Sequence, residues 1–239
     1  MKITRFKSID STNKYLQDLL EEGVDIIDNI VVAEFQSLGK GQGTNVWESE
    51  AGKNLLFSVA LDMSFLRAEN QFILTQMVSV AMIDVLKKYF PEEYLSIKWP
   101  NDIYFNNKKI AGILIKNEIK GMMLGTSIIG IGLNVNQECF DENLPNPISM
   151  KMITGEDYDL ESILKDICFE LKANTQQPTA NSQRYTDKLY RYRQWSSYKH
   201  EGSVKEMMII GYDQFGRLIL KEKNDSEVVC DLKEVKFIV

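Results

Sequence analysis

Ile97-Lys98-Trp99-Pro100-Asn101-Asp102-Ile103-Tyr104-Phe105-Asn106-Asn107-Lys108-Lys109-Ile110-Ala111-Gly112-Ile113-Leu114-Ile115-Lys116-Asn117-Glu118 consists of two apolar runs on either side of an Asn-Asn pair. Asn tolerates positive φ, so Asn106-Asn107 predicts a two-residue hairpin turn. The run from Ile110 to Ile115 is β-branched and almost wholly apolar, which suits a strand buried on both faces. Lys108 and Lys109 stand at its mouth, and Trp99, Asn101 and Asp102 stand at the mouth of the facing strand. A hairpin that is apolar along its length and ionic at one end makes a floor and rim for a pocket. Spacing alone also admits a plainer alternative. Two lysines beside a turn are ordinarily solvated charge, and Trp99 is ordinarily a packing aromatic.

Working outward, Ile3 to Phe6 predicts a short strand. Ser11-Thr12-Asn13 supplies helix N-caps ahead of Tyr15, Leu16, Leu19 and Leu20 at helical spacing, and Gly23 ends that helix. Asn29 to Gln36 and Asn54 to Leu61 predict strands. Between them lies Gln36-Ser37-Leu38-Gly39-Lys40-Gly41-Gln42-Gly43-Thr44-Asn45-Val46-Trp47. No Gly-Lys-Ser/Thr closes this loop, so it is not a Walker A loop, and Thr44 stands where a dinucleotide fingerprint needs its third glycine. It is either a flexible connection or a nest of backbone N–H groups turned toward one anion, with Lys40 adding charge.

Gln71 to Phe90 predicts a helix apolar nearly all round, hence buried against a sheet. Met122 to Leu133 predicts a strand that ends in Gly130, Gly132 and Asn134; glycines there mark either packing or close approach of a ligand. Asp157 to Asn174 and Gln183 to Trp195 predict the last helices. Past Gly202 the texture is β, at Val204 to Ile210, Leu218 to Lys221, Val228 to Leu232 and Val235 to Val239, with a turn at Asp213 to Gly216. Residues 201–239 are too few for a large core of their own.

The chain has 239 residues, 44% of them apolar, 26% charged, and a net charge of −6. The acidic balance argues against nucleic acid as a main partner. Three scattered cysteines, Cys139, Cys168 and Cys230, suit reduced thiols in a cytoplasmic protein. His200 is the only histidine, which argues against a zinc site or a histidine-based triad, and it is expected at the surface. No stretch is long and apolar enough to be a membrane span.

Lys98-Trp99-Pro100-Asn101-Asp102 followed, seven residues past Asp102, by Lys109-Ile110-Ala111-Gly112-Ile113-Leu114 resembles the core signature of biotin protein ligases. The Ser-Thr-Asn motif, the glycine loop and the Gly130/Gly132 strand resemble further parts of that family, in the same order. The resemblance implies an α+β fold: a mixed β-sheet with flanking helices, like that of class II synthetases, in a catalytic domain of residues 1–200. A small SH3-like β-barrel domain would occupy residues 201–239. It implies a ligase that makes biotinyl-5′-adenylate from biotin and ATP with Mg²⁺. The biotinyl group would then pass to a lysine of a biotin carboxyl carrier protein or of a carboxylase carrier domain. Ser11, Thr12, Asn13, Gln36, Gly39, Lys40, Gly41, Gln42, Lys109, Gly112, Gly130 and Gly132 would hold biotin. Lys40, Gly41, Gln42, Asn45, Trp47, Asn101, Lys109 and Asn134 would hold the nucleotide. Lys109 would bridge carboxylate and α-phosphate, and Asp102 would orient or deprotonate the incoming lysine. No protein ligand to the metal is implied.

Many family members carry Arg where Lys40 and Gln42 stand. Lys40 keeps the charge without the bidentate fork and Gln42 loses the charge, which predicts faster leakage of the adenylate. Some members carry an N-terminal DNA-binding domain; this chain begins just ahead of Ser11, so operator binding is not expected. Monomer and homodimer are both compatible with the sequence. Two rival functions share the fold: a lipoate ligase or octanoyl transferase, the latter using Cys139 with Lys109, and a biotin-binding module without catalysis.

Overall fold

The computed structural model describes residues 2–43, 45–175 and 178–238; Thr44 therefore lies outside the described residues. In chain order the elements are β1 (Lys2–Ile9), α1 (Thr12–Glu21), β2 (Asn29–Gln36), β3 (Leu55–Asp62), α2 (Phe72–Leu86), β4 (Leu95–Lys98), β5 (Asp102–Phe105), β6 (Lys108–Lys120) and β7 (Met123–Leu133). There follow α3 (Met150–Thr154), α4 (Leu160–Thr175), α5 (Asn181–Asp187), β8 (Trp195–His200), β9 (Ser203–Tyr212), β10 (Leu218–Glu222), β11 (Glu227–Cys230) and β12 (Val235–Phe237).

The first seven strands form one mixed sheet in the order β1-β2-β3-β7-β6-β5-β4. Only β1 and β2 run parallel, and the other neighbours are antiparallel. The side-chain period of two divides this sheet between two layers. Ile30, Val59 and Ile129 point into the large core with α2 and α4. Their neighbours Val31, Ala60 and Ile128 point the other way, into a small cluster with Leu16 of α1. α2 shows how strongly the apolar pattern acts: all of its 15 residues except Ile73 and Thr75 are buried. α1 is instead a one-sided helix, capped by Ser11, whose side chain accepts from the Lys14 amide.

The smaller sheet is antiparallel, in the order β11-β10-β9-β8-β12. β11 and β12 are its two edges, so among the described residues it is open and no closed SH3-like barrel is formed. It is fused to the larger unit through one continuous core that includes Tyr185, Tyr198, Met207, Leu220 and Phe237. The Trp99 indole N–H donates to the Gly216 carbonyl at 2.8 Å. Gly216 sits at φ +83°, and a Cβ there would lie 2.2 Å from the Phe72 ring.

Two expectations are corrected. The stretch Gln183 to Trp195 is not one helix. α5 ends at Asp187, and the chain is then captured by the edge of β4, where the Ile97 amide donates to the Lys188 carbonyl at 2.7 Å. Arg191 and Arg193 take φ of 62° and 55°, which no α-helix accommodates, and Trp195 already opens β8. The smaller sheet thus begins ahead of residue 201. His200 is buried rather than at the surface, because its place in β8, opposite Val235, turns it inward.

Candidate active site

α1 covers only part of its face of the sheet. On that face Ser58 of β3 lies opposite Gly130 of β7, Gly130 opposite Leu114 of β6, and Gly132 opposite Gly112. Three missing side chains in adjoining registers leave a trough where any larger residue would fill the sheet surface. The resulting cavity is about 270 Å³. Its floor is Gly112, Gly130 and Gly132; its closed end is Ser11, Thr12, Asn13 and Gln36. Lys40, Gly41, Gln42, Asn45 and Trp47 cover it from the glycine loop, and Asn101, Asp102 and Lys109 stand at its rim.

The closed end is an interlocked polar wall. The Thr12 amide donates to Gln36 Oε1 at 2.7 Å, and the Thr12 hydroxyl reaches the same oxygen at 3.1 Å and Ser58 Oγ at 2.8 Å. Asn13 Nδ2 lies 2.9 Å from where a Cβ on Gly130 would be. A helix start supplies these groups because its first amides lack intrahelical partners.

A β-bulge delivers the rim lysine. Asp102 pairs with Gly112 and Ile103 with Ala111, but Tyr104 pairs with Lys109, so Ile110 is an extra residue in β6. In strict alternation Lys109 and Gly112 would face opposite sides. The extra residue re-aims Lys109 onto the glycine face. Lys109 Nζ there lies 3.2 Å from a Cβ position on Gly112 and 2.7 Å from Asp102 Oδ1. Beside it, burial, the largest influence, pushes the Tyr104 phenol up to about 12, so it stays neutral at physiological pH.

The glycine loop is a small hairpin. Lys40 bridges to Val46, the Trp47 amide donates to the Gly39 carbonyl at 2.9 Å, and the Gly41 amide donates to the Asn45 carbonyl at 2.8 Å. The Gly41 amide is thus engaged within the loop rather than aimed at a ligand. Gly39 is outside the cavity lining; a Cβ there would lie 2.4 Å from the Trp47 carbonyl oxygen, so its work is to let the loop double back. The Trp47 indole rests on the floor: Cβ atoms on Gly132 and Gly112 would come within 2.5 and 2.8 Å of it. Its N–H is buried and has no hydrogen-bond partner among the described residues. Lys109 Nζ lies 5.4 Å from its ring centroid, in cation–π range.

Asn134 is the other expected residue that does not line the cavity: its side-chain amide donates to the Ile148 carbonyl at 3.1 Å, pinning the segment ahead of α3. Cys139 is exposed and also outside the lining, so no cysteine–lysine arrangement forms in the cavity. Asn101 lines the rim while its side chain donates to the Ile113 carbonyl, clamping β6.

Sequence reasoning passed over several lining residues. Ser58 carried a signal, a lone hydroxyl inside the apolar run of β3. Lys98 sat within the quoted motif; its ammonium lies 5.4 Å from the Tyr104 and Phe237 ring centroids. Leu232, Lys233, Val235, Lys236 and Phe237 come from the smaller sheet, and no local pattern announced them.

Residues 5–134 match the biotin/lipoate A/B protein ligase family. The chain belongs to that family. Among the family's curated relatives, the bifunctional ligase/repressor BirA of Bacillus spizizenii is 31% identical over 171 residues, covering 68% of this chain and 50% of that protein. The biotin–[acetyl-CoA-carboxylase] ligase of Mycobacterium tuberculosis is 29% identical over 129 residues, covering 53% of this chain and 47% of its own. The chain spans about half the length of the curated relatives it matches. In structure it is similar to the biotin protein ligase from Aquifex aeolicus in complex with biotin and ATP, with a TM-score of 0.76 and 25% identity over 99% of this chain and 98% of that one. The family match ends at Asn134, so the floor and rim of the cavity lie inside it and the smaller sheet lies outside. No described helix is long and apolar enough to cross a membrane.

Proposed function

We propose that this chain is an ATP-dependent biotin protein ligase. The carboxylate of biotin attacks the α-phosphate of ATP, the bond to the β-phosphate breaks, and biotinyl-5′-adenylate and pyrophosphate result. A lysine amine of a biotin carboxyl carrier protein, or of a carrier domain in a biotin-dependent carboxylase, then takes the biotinyl group and AMP leaves. The observation that carries this reading is the position of Lys109. Its ammonium stands where the glycine floor meets the loop, across from the polar wall of Thr12, Asn13 and Gln36. An anion meeting a polyanion needs positive charge between them, and that position supplies it.

The other roles follow from chemistry. The polar wall would receive the ureido ring of biotin, and Gly130 beside it would leave room for the thiophane ring, while Gly112 and Gly132 underlie the Trp47 indole. Trp47 offers a flat π-face to the adenine, with Gln42, Asn45 and Asn101 close by. ATP would arrive as its magnesium complex. The ion would be held by the nucleotide phosphates and would offset their charge there. Asp102 would orient the incoming lysine and take its proton, since an unperturbed lysine pKa of ~10.4 leaves the amine charged at neutral pH. The small open sheet is our candidate for the SH3-like module, with its β11 and β12 edges unjoined.

The test is biotin-dependent exchange of pyrophosphate into ATP, followed by mass spectrometry of a carrier domain incubated with enzyme, biotin and ATP. Calorimetry should show biotin binding and lipoate failing to bind. Exchange that stays absent with biotin present, or a cavity that prefers lipoate, would end the proposal.

A further inference from the structure

The bulge that aims Lys109 has to be held, and β7 does not hold it. β7 pairs with β6 only as far as Leu133 opposite Ala111, short of Lys109. Beyond that point a strap of residues 144–148 takes over the ladder. The Lys109 amide donates to the Asn146 carbonyl at 2.8 Å, and the Ile148 amide donates to the Lys109 carbonyl at 3.0 Å. Pro147 stands between them, bridged to Lys109 in parallel register, where the ladder asks no N–H of it. Both backbone hydrogen-bonding groups of Lys109 are thereby engaged by the strap.

Asn146 ties the strap to the hairpin. Its φ is 44°, in the left-handed region that Asn enters more readily than most residues with a side chain. Its side-chain amide donates to the carbonyl of Asn107, in the hairpin turn, and also reaches the Tyr104 phenol. Tyr104 is the residue opposite Lys109 beside the bulge. Asn107 is fixed in turn by the Tyr190 hydroxyl, which donates to its Oδ1 at 2.7 Å. At the other end of the strap, the Asn134 side chain donates to the Ile148 carbonyl at 3.1 Å. One residue thus grips the turn ahead of Lys109, its cross-strand partner and its own amide. Asp102 meets only the far end of the same side chain, the ammonium. A long lysine stem has a defined tip only if its Cα is also fixed.

We infer that Asn146, which does not line the cavity, is a positioning residue for Lys109: it keeps the bulge in register and so sets where the ammonium stands. The inference rests on the ligase reading for its effect on rate, whereas the set of the amine can be read without any ligand.

The experiment uses the full chain. Asn146→Gly keeps the left-handed φ and removes the side-chain amide; Asn146→Asp keeps a similar shape and removes the donor. Ligand-free protein is labelled with a trace of acetic anhydride and digested, and Lys109 is compared by mass spectrometry with the exposed Lys116 and Lys172. Labelling of Lys109 should rise about three- to fivefold in both variants, as an ammonium loosened from a partly exposed pair spends more time free. Biotin-dependent pyrophosphate exchange should fall about ten- to thirtyfold, because the charge is displaced rather than lost. In a Lys109→Met background Asn146→Gly should cost no further rate, since the two act as one unit. Lys109 labelling that stays at the wild-type level in both variants would overturn the inference. So would a loss of exchange just as large in the Lys109→Met background, which would mark a general structural role. Wild-type protein without biotin-dependent exchange would strike the ligase reading instead, and the labelling ratio would still decide Asn146.

Discussion

Asp84 and Asp102, two of the carboxylates that hold cations in this molecule, hold them differently. Asp84 on α2 is nearly saturated. Arg184 of α5 reaches both of its oxygens at 2.6 and 2.7 Å, and Lys87 meets Oδ1 at 2.5 Å. Its side chain is only 10% exposed. Asp102 at the cavity rim has a single ion pair, to Lys109 at 2.7 Å, with the two side chains 23% and 28% exposed. The first arrangement ties two helices together and leaves little to offer a ligand. The second leaves Lys109 with N–H donors to spare, next to open space. A pair that is to hand its cation to a substrate must be incompletely satisfied before the substrate arrives.

The largest break in this comparison is at Lys109. Under the proposed function, Lys109→Met should lower biotin-dependent pyrophosphate exchange by about 10²–10³-fold, because the one charged contact proposed to the reacting phosphate is lost. Stability should change by about 1 kcal/mol or less, since the pair is partly open to solvent. Stopped-flow exchange assays and thermal melts on the same sample check both halves. A variant that melts much earlier yet retains its rate would place Lys109 with Arg184 and Lys87 as a structural cation.

Gly132→Ala tests the floor on which the rim pair depends. The new methyl would lie 2.5 Å from the Trp47 indole, so the ring must move. We expect a rise of about tenfold in the KM for ATP with a smaller change in biotin affinity. Replacing Trp47 by Ala in the same chain should make the two losses less than additive, since contacting residues couple. Strict additivity in that double-mutant cycle would show that the indole and the floor act independently.

These two sites also show what a sequence reveals. The hairpin was legible because its signals are local: Asn106 takes φ 53° at the turn, and Phe105 pairs with Lys108 across it. α2 was legible because unbroken apolar character has few other uses. Most strands were legible in the same way, whereas the mixed sheet and the candidate site residues were expected from the resemblance to biotin protein ligases rather than from local pattern. The bulge at Ile110 was not legible, because one extra residue in a strand leaves no compositional trace, yet it decides which way Lys109 points. Lys233 and Phe237 were hidden for a different reason. They reach the cavity from the far end of the chain, and only packing of the small sheet brings them there. The capture of residues after Asp187 by β4, and the inward turn of His200, are likewise tertiary events that override local pattern.

A smaller effect is expected when the saturated pair is broken. Burial, the strongest single influence on Asp84, works to raise its carboxyl pKa, and the hydrogen bonds and charges of Arg184 and Lys87 more than reverse that, so it lies below the ordinary carboxylate range. A depressed folded value means that the pair's stabilisation is fully present above the unfolded pKa of ~3.9 and is lost as pH falls through the folded value. Asp84→Asn should therefore cost about 1–2 kcal/mol at pH 7, measured by urea unfolding. The gap between variant and wild type should close below about pH 4. Exchange activity at pH 7 should be nearly unchanged. A gap that persists into strong acid would mean that packing, not charge, holds α2 to α5.

The finest test makes the cavity more like the saturated pair. Gln42 covers the cavity with a neutral amide, and Lys40 beside it carries charge without a fork. Gln42→Arg would add a planar, bidentate donor set over the site proposed for the acyl phosphate. If incomplete satisfaction is what lets the site release its product, the variant should hold biotinyl-adenylate about three- to tenfold longer, a gain of roughly 1 kcal/mol in charged hydrogen bonding. Dissociation of preformed adenylate, followed by a chase with unlabelled ligand, measures this directly. Release that is already slow in wild type, and indifferent to Gln42→Ala as well as Gln42→Arg, would place retention elsewhere in the cover, which also includes Lys40, Asn45 and Trp47.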